Sequence, residues 1–241
     1  MPLCRLLEIH GANTFRLPAI DIKALGNWRD IAARLGALEK FDVIIFTSAN
    51  AVRFGASLLD QKRDLTLGAV GAATTRALNQ AGYRVAVQPM VSVDSEGLLR
   101  HPRLQHPAGR RMLLIKGSHG RPLLERELVS RGAEVITAEV YERVPAAPSG
   151  AVLAALGESF AAGAVQVITA TSVEIAGNLL KIAAPALRQQ FERSHWLVPG
   201  ERVANAVREL GLTAPLLQAD SAEDQDLVGA LLRWRAAESG A

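Results

Sequence analysis

Serine, threonine and glycine, more than cysteine or histidine, stand where this chain could do chemistry. The stretch "FTSANAV" (46–52) follows the apolar run Val43-Ile44-Ile45. "ITATSVE" (168–174) follows Val165-Gln166-Val167 in the same way. Three further turns share the design: Gly71-Ala72-Ala73-Thr74-Thr75, Lys116-Gly117-Ser118-His119-Gly120 and Pro199-Gly200-Glu201-Arg202. Each lies where a strand candidate ends and a helical pattern begins. A helix start leaves backbone N–H groups without intrahelical partners, and its dipole favours negative charge. Short turns without bulky side chains at such places suit anions, carboxylates included. Read singly, Ser48, Asn50, Thr74 and Ser172 are N-caps. Read as a set at the ends of parallel strands, the turns form a binding crevice. The candidate ligand contacts are Thr47, Ser48, Asn50, Gly71, Thr74, Ser95, Glu96, Lys116, Gly117, Ser118, Thr169, Thr171, Ser172, Gly200, Glu201 and Arg202.

Other chemistries find less support. "KGSHG" lacks the order of a nucleotide P-loop, and no G-x-G-x-x-G follows a strand candidate. The five histidines are scattered along the chain and there is a single cysteine, so neither a metal nor a cofactor is expected. No G-x-S-x-G elbow supports a serine triad. Glu96, Asp94 and the acidic run 220–226 read as favourable charge at helix N-termini. Tyr141 stands at the end of a strand candidate, from which its hydroxyl could reach the crevice; core packing is the alternative.

The formal charge of +3 is compatible with an anionic ligand, but the arginines are scattered and only three Trp and two Tyr are present. A nucleic-acid surface of interleaved aromatics and cations is therefore not expected. No window approaches the roughly 20 apolar residues of a membrane span, and "MPLCRLLEIHG" does not read as a signal peptide. A lone Cys4 fits a reducing compartment, so the expectation is a cytoplasmic monomer.

These residues need elements to hold them. Strand candidates Thr14–Ile20, Asp42–Phe46, Leu67–Val70, Val85–Gln88, Met112–Ile115, Glu134–Tyr141, Val165–Thr169, His195–Val198 and Leu216–Gln218 alternate with helical patterns. The latter run over Trp28–Leu38, Ala49–Leu59, Thr74–Gln80, Pro122–Ser130, Val173–Ile182 and Arg202–Leu210, and Gly82, Gly132 and Gly211 stand as left-handed C-caps. The alternation predicts an α/β fold of parallel sheets with helices on both faces. It also repeats. "GAATTRALNQAG" from Gly71 and "GERVANAVRELG" from Gly200 lie 129 residues apart, Thr47 and Thr169 lie 122 apart, and "GANTFRLPAI" and "GAEVITAEVY" lie 121 apart. Two similar lobes follow. Counting back by that interval places Met1 opposite Pro122, so the first strand of one lobe is expected to be missing. Linkers read at 21–27 and 142–150 give one continuous lobe, 23–143, and one discontinuous lobe, 1–22 with 144–241.

At this point the chain resembles the uroporphyrinogen-III synthase family. The resemblance rests on "FTSANAV", "AVGAATTRALNQAGYRV", "SEGLL", "LLIKGSHGRPLLERELVSRGAEVITAEVYERV" and "VPGERVANAVRELGL" in that order, covering nearly all of 11–235. It implies two α/β lobes joined by two crossing strands and a linear tetrapyrrole substrate, hydroxymethylbilane, with eight carboxylates. It implies loss of the substrate's hydroxyl, a spiro intermediate, and closure to uroporphyrinogen III with the terminal pyrrole inverted. Tyr141 matches the family's tyrosine in "VY", which implies a role as general acid for the departing hydroxide. The Thr47-Ser48 and Thr169–Ser172 turns are then expected to face each other across the substrate. A non-catalytic two-lobed binder of a small polycarboxylate or other anion would use the same helix ends and stays open at this stage.

Overall fold

The computed structural model describes residues 2–26, 28–60, 64–89 and 94–239. In chain order its elements are α1 (Pro2–Ile9), β1 (Ile20–Ala24), α2 (Trp28–Leu35), β2 (Val43–Phe46), α3 (Ala49–Gly55), β3 (Leu67–Ala69), α4 (Ala72–Gln80) and β4 (Val85–Val87). There follow α5 (Ser95–Leu99), α6 (Pro102–Gln105), β5 (Arg111–Gly117), α7 (Leu123–Ser130) and β6 (Glu134–Pro145). The last stretch holds α8 (Gly150–Ala161), β7 (Val167–Thr169), α9 (Val173–Ile182), α10 (Pro185–Arg193), β8 (His195–Pro199), α11 (Gly200–Glu209), β9 (Leu216–Ala219) and α12 (Asp224–Ser239). The chain divides into two compact units, Ile22–Val144 and Met1–Asp21 with Pro145–Ala241.

The unit Ile22–Val144 is built on a sheet of order β1-β6-β5-β2-β3-β4. Strands β2, β3, β4, β5 and β6 pair in parallel, with Val43, Ile44, Ile45 and Phe46 beside Met112, Leu113, Leu114 and Ile115. An unbroken apolar strand such as Val43–Phe46 suits only a sheet covered on both faces, and all four residues are buried. Alternation divides them between two cores. Ile44, Phe46, Leu113 and Ile115 pack with Ile31 and Leu35 of α2, Ala51 and Val52 of α3, and Leu78 of α4. Val43, Ile45, Met112 and Leu114 pack with Leu98 and Leu99 of α5, Leu104 of α6, and Leu124 and Leu128 of α7. Each of these large side chains contributes about 1.5–3 kcal/mol through its burial, so a one-residue register slip would exchange the two cores and is strongly opposed.

The other unit carries a parallel three-stranded sheet, β7-β8-β9. Trp196 and Val198 face a core shared with α8, α9, α10 and α11; Leu197 and Ala219 face α12 and Leu3 of α1. Trp196 is fully buried and its Nε1–H donates to the Phe191 carbonyl at 3.0 Å, which satisfies the one polar atom of the ring.

Gly82, Gly132 and Gly211 adopt φ of 82°, 84° and 82°, as C-caps require. Several expected boundaries move. The helical pattern 28–38 stops at Leu35 because Gly36 turns left-handed, with φ 67°. That over 49–59 leaves α-geometry at Gly55 and finishes as a 3₁₀ turn, Ala56–Leu59. A Cβ on Gly55 would come 2.7 Å from Ile115 Cγ2, so α3 lies directly on β5 there. The strand expected over Thr14–Ile20 is irregular until Ile20; Pro18 has no N–H to give a ladder. That segment is held otherwise, the Ala19 carbonyl accepting from Ala146 N and from Asn178 Nδ2. The linkers expected at 21–27 and 142–150 both begin as strand, since β1 runs to Ala24 and β6 to Pro145. Both unit boundaries fall inside those two strands. Helices α6, α8 and α10 were not anticipated, whereas α12 begins within the acidic run expected at a helix start. Alanine-rich α8 has little apolar periodicity, and α10 is announced mainly by Pro185 at its first turn.

Glu192 on α10 accepts from Thr213 N at 3.0 Å, Thr213 Oγ1 at 2.8 Å and Arg188 Nε at 3.2 Å. Burial pushes its carboxyl up, but these bonds outweigh burial and hold it below its ordinary value of 4.5. A depressed carboxylate stabilises the fold above that value and loses its contribution as pH falls through the lowered one. Glu192→Gln should therefore unfold about 1 kcal/mol more easily than wild type at pH 7. In urea titrations the gap should narrow as pH falls through the lowered value and Glu192 takes up its proton.

Candidate functional site

The connections of the six-stranded sheet fix where a site can form. Strand β2 is followed by α3 on one face, and neighbouring β5 by α7 on the other. Adjacent parallel strands whose connections leave to opposite faces open a crevice at their C-terminal ends. A pocket of about 250 Å³ lies there, and its lining includes Thr47, Ser48, Ser95, Lys116, Gly117, Ser118 and Tyr141. The starts of three helices reach it: α3 through Ser48, α5 through Ser95, and α7 through Leu124 and Glu125. Ser48 Oγ caps α3 by accepting from Ala51 N at 3.0 Å, and Asp94 caps α5 by accepting from Gly97 N at 2.7 Å. Helix α7 has Pro122 at its N-cap and no side-chain cap. Its first N–H groups and dipole therefore open on the pocket side, where an anion would satisfy them.

Tyr141 closes one wall, held from three sides. Its ring lies on Gly117 so closely that a Cβ there would meet Tyr141 Cζ at 2.5 Å and Oη at 2.9 Å. It stacks on Phe54 with centroids 6.0 Å apart at 28°. Its Oη lies 3.0 Å from Ser48 Oγ, either hydroxyl being able to donate. The backbone follows suit, Ser118 N donating to the Tyr141 carbonyl at 2.8 Å. Tyr141 is thus neither a plain core residue nor a free surface one: its ring is packed while its hydroxyl lines the pocket.

The charge is uneven. Lys116, Arg121 and Arg143 line the pocket, as does Glu125, which pairs with Lys116 at 3.6 Å. Ser118 Oγ is buried without a hydrogen-bond partner, and a ligand oxygen is one way such a hydroxyl is satisfied. Thr47 Oγ1 donates to the Ile115 carbonyl at 3.4 Å, so its proton is already directed at the backbone. At the opposite ends of β5 and β6, a bidentate hydrogen bond from Arg111 holds Glu134 below the usual carboxylate range. That pair pins the first rung of the two strands and lies away from the pocket.

Of the residues expected to bind ligand, seven line this pocket: Thr47, Ser48, Ser95, Lys116, Gly117, Ser118 and Tyr141. Asn50 in the first turn of α3, Gly71 before α4, and exposed Glu96 on α5 are not among its lining. Thr74, in the first turn of α4, is 3% exposed, so its hydroxyl is not presented to a ligand. In the other unit Ser172 Oγ caps α9 by accepting from Ile175 N at 3.2 Å. Its φ and ψ, −156° and 161°, nearly equal the −159° and 163° of Ser48, so the two repeated turns share one backbone shape. Thr169 ends β7, Thr171 is half-buried, and Gly200 with exposed Glu201 and Arg202 forms the first turn of α11, which has no side-chain cap. Sequence reasoning missed His119, Arg121, Glu125 and Arg143. Arg143 was legible, since residues two apart on a strand share a face and Tyr141 was already marked. His119 was not, its place depending on a left-handed φ of 58°.

A groove of about 640 Å³ runs elsewhere in the same unit, between α2 and residues 136–139 of β6. It lies along the flank of β6 before Tyr141 is reached, and Asp30, Arg34 and Glu139 give it charges of both signs. The strand-end pocket has the convergent donors and is the candidate site.

Comparison with known proteins bears on this site. The family described as "Uroporphyrinogen-III synthase HemD" matches residues 2–229. The uroporphyrinogen-III synthase of Escherichia coli strain K12 is 32% identical over 236 residues, spanning 93% of this chain and 92% of that protein. That of Salmonella typhimurium strain LT2 has the same identity and coverage. Among solved structures, a uroporphyrinogen-III synthetase from Helicobacter pylori 26695 aligns with a TM-score of 0.58 at 16% identity, over 90% of this chain and 92% of that one. A mutant uroporphyrinogen III synthase from the extremely thermophilic bacterium Thermus thermophilus aligns with a TM-score of 0.55 at 23% identity, over 100% and 95%. At those identities the structures speak for the fold.

The fit of Tyr141 on Gly117 is testable without any ligand. Gly117→Ala should destabilise the fold by about 1–3 kcal/mol, because the ring must leave Phe54 and Ser48 to admit the methyl group. In a Tyr141→Ala background the same change should cost nearly nothing. Chemical denaturation of the four proteins measures the coupling directly. Additive losses would mean that the two residues do not share the space.

Proposed function

The chain belongs to the uroporphyrinogen-III synthase family, and from that premise we propose that it closes linear hydroxymethylbilane to uroporphyrinogen III, with loss of water and inversion of the terminal pyrrole. The observation that carries the reading is the Tyr141 hydroxyl, fixed against Ser48 in a pocket where helix starts and Lys116, Arg121 and Arg143 converge. Such a pocket suits a substrate rimmed with carboxylates, and the phenol held against Ser48 is the group we assign to protonate a departing hydroxide.

The chemistry follows. Tyr141 gives its proton to the hydroxymethyl oxygen as the C–O bond breaks, and the oxygen leaves as water with the bonding pair. The pyrrole nitrogen lone pair replaces that pair, leaving an electrophilic azafulvene. The substituted carbon of the far pyrrole attacks it to form a spiro intermediate, which fragments and recloses with that ring reversed. Restoring aromaticity releases one proton, which returns to the phenolate, so the enzyme ends as it began. Since the bilane is reactive by itself, the protein's larger task is to hold its two ends in the inverting geometry.

The carboxylates engage the uncapped N-terminus of α7, Lys116, Gly117 N–H and the Ser118 hydroxyl, with Thr47 and Ser95 at the pocket rim. The remaining expected contacts, Asn50, Gly71, Glu96, Thr169, Thr171, Ser172, Gly200, Glu201 and Arg202, serve other carboxylates through helix-start backbone groups; Thr74 does so through its N–H alone. The reading takes the enzyme as a monomer of the cytoplasm, consistent with its single cysteine and with no helix among the described residues being long and apolar enough to cross a membrane.

Supplying the protein with enzymatically generated hydroxymethylbilane and separating the oxidised products by chromatography tests the proposal. Isomer III should dominate. Isomer I alone, the product of unassisted closure, would leave a binder without catalysis. Tyr141→Phe should lower kcat by roughly 10²–10⁴-fold, the usual span of general acid catalysis. Its KM should change little, because the ring and its packing survive.

A further inference from the structure

Ser48 has more partners than an N-cap needs. Its Oγ accepts from Ala51 N at 3.0 Å and also lies 3.0 Å from Tyr141 Oη. A serine hydroxyl has one proton and two lone pairs. One lone pair is committed to the α3 amide, so the proton is the atom that decides what Ser48 does. If it were aimed at a substrate carboxylate, Tyr141 would donate to Ser48 and hold no proton for the reaction. If it is aimed at Tyr141 Oη, the phenol's own proton turns outward to the pocket.

Three features favour the second arrangement. An oxygen that accepts from an amide becomes a better donor, since hydrogen bonds in series polarise one another. The amide belongs to the first turn of α3, whose dipole stabilises negative charge developing at its end of the chain of bonds. The Tyr141 ring cannot swing away from Ser48, because Gly117 lies beneath it and Phe54 stacks on it. The charge left on Tyr141 after proton donation would then be met by a donor already in place, at no cost of reorganisation.

We infer that Ser48 is a positioning residue for Tyr141 rather than a carboxylate contact: its hydroxyl donates to Tyr141 Oη, relaying the α3 N-terminus to the phenol, so that the phenol proton faces the substrate. This rests on the synthase reading and deepens it. It separates two roles in one atom, since the cap needs only an acceptor at position 48 while the relay needs a donor as well.

Substitutions can part the two roles. Ser48→Thr keeps both and should hold kcat within about threefold of wild type. Ser48→Asp keeps the cap but has no proton to give; it draws the phenol proton onto itself and away from substrate. Its Tm should equal or exceed that of wild type, because a carboxylate suits a helix start. Its kcat at saturating substrate should fall roughly 10- to 100-fold, within the span usual for losing one preorganised donor or acid. A cap-only role predicts the reverse, with kcat following Tm. The decisive measurement is the cycle with Tyr141→Phe: Ser48→Asp should change kcat less than about twofold once the phenol hydroxyl is gone. Equal losses in both backgrounds, or an unimpaired Ser48→Asp enzyme, overturn the inference while the synthase reading stands on the wild-type yield of isomer III. A wild type yielding only isomer I overturns both.

Discussion

The pairing of β2 with β5 is the constraint from which the rest of the site follows. Four rungs, Val43 with Met112 through Phe46 with Ile115, lock two buried strands whose following helices depart to opposite faces. With both faces covered, neither strand can slip by a residue without exchanging cores. The strand ends are therefore fixed to within a fraction of a residue step. That precision carries to the turns: Thr47 and Ser48 leave one strand and Lys116, Gly117 and Ser118 the other. A pocket formed by diverging connections needs no dedicated scaffold of its own.

On that base the fit of Tyr141 is set by an absence. Position 117 carries no side chain, and the ring of Tyr141 fills the space a Cβ would take. The sheet contributes to the same end, since the β5–β6 register shifts between Lys116 and Gly117, leaving Gly117 opposite Tyr141 instead of Val140. An irregularity of this kind re-aims a side chain at the rim of a sheet. Phe54 of α3 then stacks on the ring, and Gly55 lets α3 approach Ile115 closely enough for that contact. Two glycines, one in a strand and one ending a helix, thus place one hydroxyl.

The legible part of the fold was what local physics dictates. Apolar runs such as Val43–Phe46 and periodic helices closed by Gly82, Gly132 and Gly211 announce themselves. Ser48 and Ser172 share the extended backbone of an N-cap, as Gly71 and Asp94 do. What escaped depends on partners distant in sequence. Residues 21–24 and 142–145 look like linkers because their strand character comes from sheet pairing, not from apolar content. Residues 14–19 look like a strand yet are held by Asn178 and Ala146. Within the site, Thr74 was chosen for its hydroxyl, but the helical phase that buries it is set by Leu78 one turn later. Arg121 lines the pocket two residues after the left-handed turn at His119.

On the proposed reading, a polycarboxylate substrate also accounts for a phenol serving as the acid in this pocket. Helix starts and cations that attract carboxylates on a ligand would act alike on a carboxyl group of the protein, stripping its proton and leaving a base. A phenol begins several units higher on the pH scale. The field that binds the substrate then also favours the phenolate formed when the proton leaves. Binding and proton donation, which would compete if a carboxyl were the acid, draw on one set of charges when the acid is Tyr141.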